Sequence, residues 1–166
     1  STAAEQNNVN AMFNLGIIYL TADYIKRDIN KSIQYFKQAS NLNNSTAQLY
    51  LGEIYSNKKY GIQNIQNAIF YCNLSASQGN PFAYLKLGLI YKNEKYYKES
   101  FNYFIKAANY NIREAQYEIG NFYFEGKFIK RDINKALNYY KKAADQKLID
   151  AQFQLGRIYH HGFFIP

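Results

Sequence analysis

Histidine and cysteine, the side chains that most often carry out catalysis or bind metals, are scarce in this sequence. Its two histidines, His160 and His161, are adjacent near the end of the chain, so their rings point in different directions and lack a second ligand pair. The single cysteine, Cys72, has no histidine at a spacing typical of a nucleophile and cannot form an internal disulfide. We expect a solvated loop at His160 and His161 and a core thiol at Cys72.

Other signatures of chemistry or of membrane insertion are also missing from the sequence. No glycine-rich phosphate loop is present, no apolar run approaches the roughly 18 residues of a membrane span, and the residues from Ser1 lack the pattern of a signal peptide. We therefore predict no catalytic residues, no cofactor and no metal, and the protein is not expected to be an enzyme. The same features favour the cytoplasm, with an organelle or the lumen of the endoplasmic reticulum left open.

Composition and charge indicate a folded and basic protein. Of the 166 residues, 48% are hydrophobic, 18% aromatic and only 19% charged, unlike a disordered chain. A net charge of +8 favours acidic partners and brings nucleic acid into consideration. Because the basic residues are spread from Lys26 to Arg157 among acidic ones, they predict a solvated helical surface instead of one binding patch.

An internal repeat organises most of the chain. Its glycines are spaced 36, 36, 32 and 36 residues apart, at Gly16, Gly52, Gly88, Gly120 and Gly156. An alanine lies five residues before each glycine, at Ala11, Ala47, Ala83, Ala115 and Ala151. A leucine or isoleucine comes directly before it, and a tyrosine follows three residues later, at Tyr19, Tyr55, Tyr91, Tyr123 and Tyr159. These positions share one side of an α-helix, which we call helix A.

A second helix, helix B, follows each of the first four A helices. A glycine inside a helix costs about 1 kcal/mol relative to alanine, so the glycine column indicates a close approach by helix B. The B helices carry small residues around a tyrosine column at Tyr35, Tyr71, Tyr103 and Tyr139. We interpret those tyrosines as buried knobs that pack against helix A.

Capping residues mark the helix ends. Asp28, Asn64 and Asp132 are predicted N-caps of helix B, and Asn8, Asn44 and Asn80 recur where helix A should start. A left-handed residue is expected after helix B at Asn7, Asn43, Gly79 and Asn111. The predicted helices are 10–21, 29–42, 46–57, 65–78, 81–93, 97–109, 113–125, 133–146 and 149–160, with no strands.

The recurring pattern Ala-x3-Leu-Gly-x2-Tyr, then Gly, a loop with Asp, and Lys-Ala-x2-Tyr-Tyr-x2-Ala-Ala resembles the Sel-1-like repeat family, a relative of the tetratricopeptide repeats. The fourth repeat matches most fully, at Ala115, Ile119, Gly120, Tyr123, Gly126, Asp132, Lys135, Ala136, Tyr139, Tyr140, Ala143 and Ala144. The third has a loop four residues shorter and is more like a tetratricopeptide repeat. The resemblance implies an all-α fold, a right-handed superhelix of antiparallel helix A and helix B pairs, and a role as an adaptor.

Residues 1–166 are expected to form a single repeat domain. Its repeats are 9–44, 45–80, 81–112, 113–148 and a partial 149–166, after a partial repeat at 1–8. Because end repeats normally carry polar caps and these do not, we expect a segment of a longer array.

The side of helix A opposite the glycines lines the concave surface of helical solenoids, so it is the predicted partner-binding groove. The predicted groove residues are Phe13, Ile17, Leu49, Glu53, Leu85, Leu89, Lys92, Tyr117, Asn121, Phe124, Phe153 and Arg157. An apolar row with polar neighbours suits a helix or extended segment of another protein, acidic or amphipathic in character. Alternatively, the apolar row packs between A helices as core, the chain binds single-stranded RNA, or it is the non-catalytic repeat arm of a larger enzyme.

Overall fold

The structure is a computed structural model that describes residues 3–21 and 27–160. Within those ranges it contains α-helices and one short 3-10 turn, Lys58–Tyr60, and no strand, which confirms the all-α prediction. The helices are α1 Ala3–Thr21, α2 Ile29–Asn41, α3 Ser45–Ser56, α4 Ile65–Ser77, α5 Pro81–Asn93, α6 Tyr97–Asn109, α7 Arg113–Glu125, α8 Ile133–Asp145 and α9 Ile149–His160. Odd-numbered helices are the A helices of the repeats, and even-numbered ones are the B helices.

The predicted caps set most helix ends. The Asp28, Asn64 and Asp132 side chains accept hydrogen bonds from the backbone N–H three residues later, at 3.0, 2.9 and 2.9 Å, so the predicted N-caps of helix B are confirmed. Asn44 caps α3 in the same way, at 2.8 Å from the Ala47 nitrogen. The predicted left-handed residues Asn43, Gly79 and Asn111 have φ of 61°, 82° and 60°.

The start of the first helix differs from the prediction. Helix α1 runs without a break from Ala3, so Asn7 does not end a helix and Asn8 does not begin one. Among the described residues no earlier helix pair lies here for the chain to fold back on. The helix therefore continues through Asn7 and Asn8 although asparagine is a weak helix former.

The chain divides into two compact modules. The N-terminal module, Ser1–Lys86, contains α1 to α4 and the first part of α5, and the C-terminal module, Leu87–Pro166, contains the rest. Within the modules consecutive helices pack on each other, as α1 with α2, α3 with α4, and α7 with α8. The predicted single repeat domain and its internal boundaries stay predictions.

Four of the five helix A glycines lie directly against helix B, as the glycine column predicts: Gly16, Gly52, Gly88 and Gly120. A Cβ added at Gly16, Gly88 or Gly120 would lie 2.6 Å from a ring carbon of Phe36, Phe104 or Tyr140, respectively. At Gly52 the neighbour is the Cys72 sulfur, whereas the space over Gly156 is open. The close approach of the two helices therefore depends on glycine.

The identity of the buried knob on helix B was predicted wrongly. The residues against the glycines are Phe36, Cys72, Phe104 and Tyr140, all fully buried, and each follows the tyrosine column by one residue. The column itself is half-buried and stacks on the helix A tyrosines, for example Tyr19 on Tyr35 at 5.6 Å and Tyr91 on Tyr103 at 5.4 Å. One residue on a helix rotates the side chain by about 100°, which moves the tyrosines from the interface to its edge.

Candidate functional site

In the N-terminal module the predicted groove residues are half-buried. Phe13 and Ile17 lie on α1, Leu49 and Glu53 on α3, and Leu85 on α5. Phe13 and Ile17 pack against the core, and the Phe13 ring is 5.8 Å from the Phe36 ring. These side chains therefore share their surface between the interior and solvent.

The C-terminal module shows the same arrangement on three A helices. Leu89 and Lys92 on α5, and Tyr117, Asn121 and Phe124 on α7, are half-buried. Phe153 and Arg157 on α9 are exposed; the Phe153 side chain is 64% exposed, and the Arg157 guanidinium lies 5.9 Å from its ring centre. Helix A thus presents aromatic and aliphatic side chains beside polar ones.

On α7, two of the predicted groove side chains make aromatic contacts with helix B. The Tyr117 ring lies 5.7 Å from the Tyr140 ring, and the Phe124 ring lies 6.5 Å from it. Tyr140, whose ring fills the space over Gly120, therefore also supports Tyr117 and Phe124 on α7.

Ion pairs and hydrogen bonds hold the charged members of the face in place. Lys86 pairs with Glu53 at 3.3 Å, and Lys92 pairs with Glu118. Glu118 also accepts a hydrogen bond from the Asn121 amide, whose oxygen accepts one from the Tyr140 hydroxyl at 2.8 Å. Since most charges here are already paired, the face is suited to binding through shape and apolar contact.

The partners in these networks were not identified from sequence. The sequence does not indicate that Lys86 and Glu118 belong to the face, because each forms its ion pair with a residue on a neighbouring A helix. Periodicity within one helix does not show such a pair. The same holds for two glutamine pairs 30 residues apart: Gln78 donates to Gln48 at 2.7 Å, and Gln146 donates to Gln116 at 2.9 Å. The repeated spacing of these glutamines was the only signal available.

The two described residues considered for chemistry lie on different helices. Cys72 is fully buried in α4, and His160 is the exposed last residue of α9, so the predicted loop position is wrong for His160. His161 is outside the described residues. Burial raises the pKa of the Cys72 thiol to about 12, with Lys86 lowering it and Glu53 raising it by smaller amounts. A protonated, enclosed thiol is a poor nucleophile.

In residues 3–21 and 27–160 no three or more His, Cys, Asp or Glu side chains are grouped so that they could hold a metal ion. No helix in the same part of the chain has the length and apolar character needed to cross a membrane.

Several solved structures are similar to this chain, among them the following three. The protective antigen c5321 of uropathogenic Escherichia coli, which displays an SLR fold, is 35% identical with a TM-score of 0.84, over 96% of this chain and 35% of that one. A Sel1 repeat protein from Oxalobacter formigenes is 33% identical with a TM-score of 0.82, over 95% of this chain and 66% of that one. The immunity protein Pa5087 from Pseudomonas aeruginosa is 26% identical with a TM-score of 0.63, over 94% of this chain and 59% of that one.

The chain spans about a third of the length of the first of these structures and about two thirds of the second. A search of the curated proteins found no match. The model of the Sel1 repeat matches residues 9–44, 45–80, 81–109, 113–148 and 149–166, nearly the whole sequence. Proteins built from such repeats are generally non-catalytic scaffolds for protein interaction, and this chain belongs to the Sel1 repeat family.

Proposed function

We propose that the chain is a non-catalytic scaffold or adaptor that binds a helix or extended peptide of another protein on the groove face of its A helices, as part of a multiprotein complex. The groove face consists of the predicted residues on α1, α3 and the start of α5 in one module, and on the rest of α5, α7 and α9 in the other. The proposal is made for each module by itself.

One observation carries this proposal: all twelve groove residues keep exposed surface, and none is fully buried. The buried core is built instead from other columns, such as Leu51, Leu87 and Ile119 before the glycines. Half-buried apolar side chains on a rigid helix are pre-positioned and lose little conformational freedom on binding, which favours affinity. A row that served only as core would have no exposed surface for a partner.

The structure gives little support to the RNA-binding alternative. Stacking of bases needs free aromatic faces, yet the helix A and helix B tyrosines stack on each other, with ring planes 4° to 13° apart. The Lys31 ammonium lies 5.1 Å from the Tyr19 ring centre, and Lys135 lies 5.2 Å from that of Tyr123. Neither of these tyrosines offers an open ring face.

The proposal can be tested with peptides selected from a random 16-residue display library against the chain, using Phe153→Ser as the variant. We expect this change to weaken binding of a peptide selected on the C-terminal module about tenfold or more, the cost of losing one apolar anchor. Phe70→Ser is the matched control, because Phe70 is also an exposed phenylalanine, at 55%, but lies on helix B.

Affinity is measured by fluorescence anisotropy between 50 and 500 mM salt. A weak dependence on salt supports binding by apolar contact, whereas a steep fall would point to nucleic-acid-like electrostatic binding. Equal losses in Phe153→Ser and Phe70→Ser, or failure to select any peptide, would contradict the proposed function.

A further inference from the structure

A cleft of about 300 Å³ lies in the C-terminal module, beside the groove face. It is lined by Lys92, Asn93, Lys95, Tyr97, Glu118, Asn121, Phe122, Glu125 and Lys127. Two of these residues, Lys92 and Asn121, belong to the predicted groove, so the cleft is continuous with that face. The other residues lie at the end of α5, in the turn that follows, at the start of α6, and on α7 and just after it.

The short connection of the third repeat forms one wall of the cleft. Only Glu94–Tyr96 separate α5 from α6, whereas Asn57–Asn64 separate α3 from α4 and include a 3-10 turn. Lys95 takes a left-handed conformation, with φ of 65°, and its N–H donates to the Lys92 carbonyl at 3.0 Å. This tight turn brings Lys95 and Tyr97 to the cleft together.

Charge pairing leaves one lysine of the cleft available. Lys92 pairs with Glu118 at 2.5 Å, and Lys127 pairs with Glu125 at 2.9 Å. Lys95 makes no ion pair within the described part of the chain. The residues that line the cleft therefore carry a net charge of +1, and Lys95 is the lysine among them without an ion pair in the described part of the chain.

The polar groups of the cleft include three that can donate hydrogen bonds, namely the Lys95 ammonium, the Tyr97 hydroxyl and the Asn93 amide. The Tyr97 hydroxyl also interacts electrostatically with Lys127, and the Asn93 amide can accept as well. The Lys95 ammonium can donate, and the Tyr97 hydroxyl can donate while its ring stays on Phe122, at 6.3 Å between centres. A single negative charge with two acceptor oxygens matches these donors. A phosphate with its two charges would face Glu118 and Glu125 with only one unpaired cation, so it matches less well.

We propose that this cleft binds the carboxylate of an Asp or Glu side chain of the partner peptide whose backbone lies along α5 and α7. The inference rests on the proposed function, because it specifies which side chain that partner presents to the C-terminal module. The carboxylate accepts hydrogen bonds from Lys95 and Tyr97, and the apolar groove residues contact the neighbouring partner side chains.

The test is a display selection on the wild-type chain, followed by binding of the selected peptides to two matched variants. Lys95→Asn removes the charge but suits the left-handed backbone, since asparagine adopts positive φ readily. Lys147→Asn is the control, because Lys147 is also exposed with φ of 63° but lies in the α8–α9 turn. Tyr97→Phe removes only the hydroxyl.

We expect the selected peptides to share one acidic residue, and we expect Lys95→Asn and Tyr97→Phe to weaken their binding about fivefold while Lys147→Asn leaves it unchanged. Replacing the acidic residue of the peptide with its amide should remove the difference between the wild type and Lys95→Asn. Peptides that bind the groove without an acidic residue, or that bind both lysine variants equally, would overturn the carboxylate site alone. If no peptide is selected at all, the scaffold proposal and the carboxylate site fail together.

Discussion

At the scale of single residues, glycine has the clearest role in this fold. Gly120 lies against the buried Tyr140 ring, which is also held by a hydrogen bond to Asn121 and therefore cannot move freely. Gly156 occupies the same position in the fifth A helix but has nothing within 4 Å of an added Cβ. Replacing each glycine with alanine therefore distinguishes two effects. At Gly120 the new methyl group crowds the interface as well as raising helix propensity, whereas at Gly156 it only raises helix propensity.

We predict opposite effects of one substitution at these two glycines. Gly120→Ala should lower the free energy of unfolding by about 1–2 kcal/mol, because displacing a packed ring outweighs the gain in helix propensity. Gly156→Ala should raise it by up to about 1 kcal/mol, since only the propensity term applies. Urea unfolding followed by circular dichroism measures both, and shifts of the same sign would show that crowding is not the deciding effect.

The buried thiol of Cys72 predicts a loss of stability at alkaline pH. Its pKa is about 12 in the folded chain and about 8.5 when unfolded, so above pH 8.5 only the unfolded state releases the proton. Below about pH 8.5 the thiol therefore leaves the free energy of unfolding at its full value, and above that pH the free energy of unfolding falls until the pH reaches about 12. Between pH 8 and pH 10 the wild type should lose about 2 kcal/mol more than Cys72→Ala. Parallel losses in the two proteins would contradict this role of the thiol.

At the scale of the helices, local signals were enough to predict most boundaries. Eight of the nine predicted helices agree with α2 to α9 within one residue at each end, because capping by residues such as Asn44 and Asp132 is decided within four residues of sequence. The start of α1 could not be predicted in this way. Asn7 matches the sequence column of Asn43, but a turn there requires a neighbouring helix pair to fold against.

The sequence was less informative about which side chains meet across the helix interface. The tyrosine column was predicted as the knob because small residues flank it on helix B, yet the buried knob varies among Phe36, Cys72, Phe104 and Tyr140. Tyrosine recurs at the edge of the interface because each ring there stacks on another tyrosine. The groove residues stay a prediction, and their ion-pair partners depend on contacts between repeats, which local periodicity does not reveal.

A hydrogen bond between glutamines gives a prediction at this scale. Gln146, at the end of α8, donates to the buried Gln116 of α7 at 2.9 Å and to Asn111 at 3.2 Å. Gln146→Ala should cost about 1–3 kcal/mol, because the Gln116 oxygen loses its donor in a buried site. Gln152→Ala is the control, an exposed glutamine of α9, and should have little effect in thermal unfolding. Equal changes in the two variants would rule out the pair as a stabilising contact.

At the scale of the whole molecule, the proposed function assigns packing and recognition to opposite sides of helix A. On the first four A helices the glycine side packs against helix B, and the opposite side keeps part of its surface exposed. The exposed part of this side can vary at little cost to the helix pairs, whereas the part that contacts helix B, as Phe13 contacts Phe36 and Tyr117 contacts Tyr140, is tied to their packing. Charge alone does not define the site, because Glu53 and Lys92 already have partners.

The central claim, that a partner lies along the groove side of helix A, is tested most directly by site-specific photo-crosslinking. A benzophenone side chain is placed at Leu89 or Phe153 on the groove face, and at Phe70 or Lys141 on helix B, each variant being checked for helicity by circular dichroism. With a labelled peptide selected on the wild-type chain, we predict strong crosslinks from at least one groove position and background levels from both helix B positions. Crosslinks mainly from Phe70 or Lys141 would contradict the account.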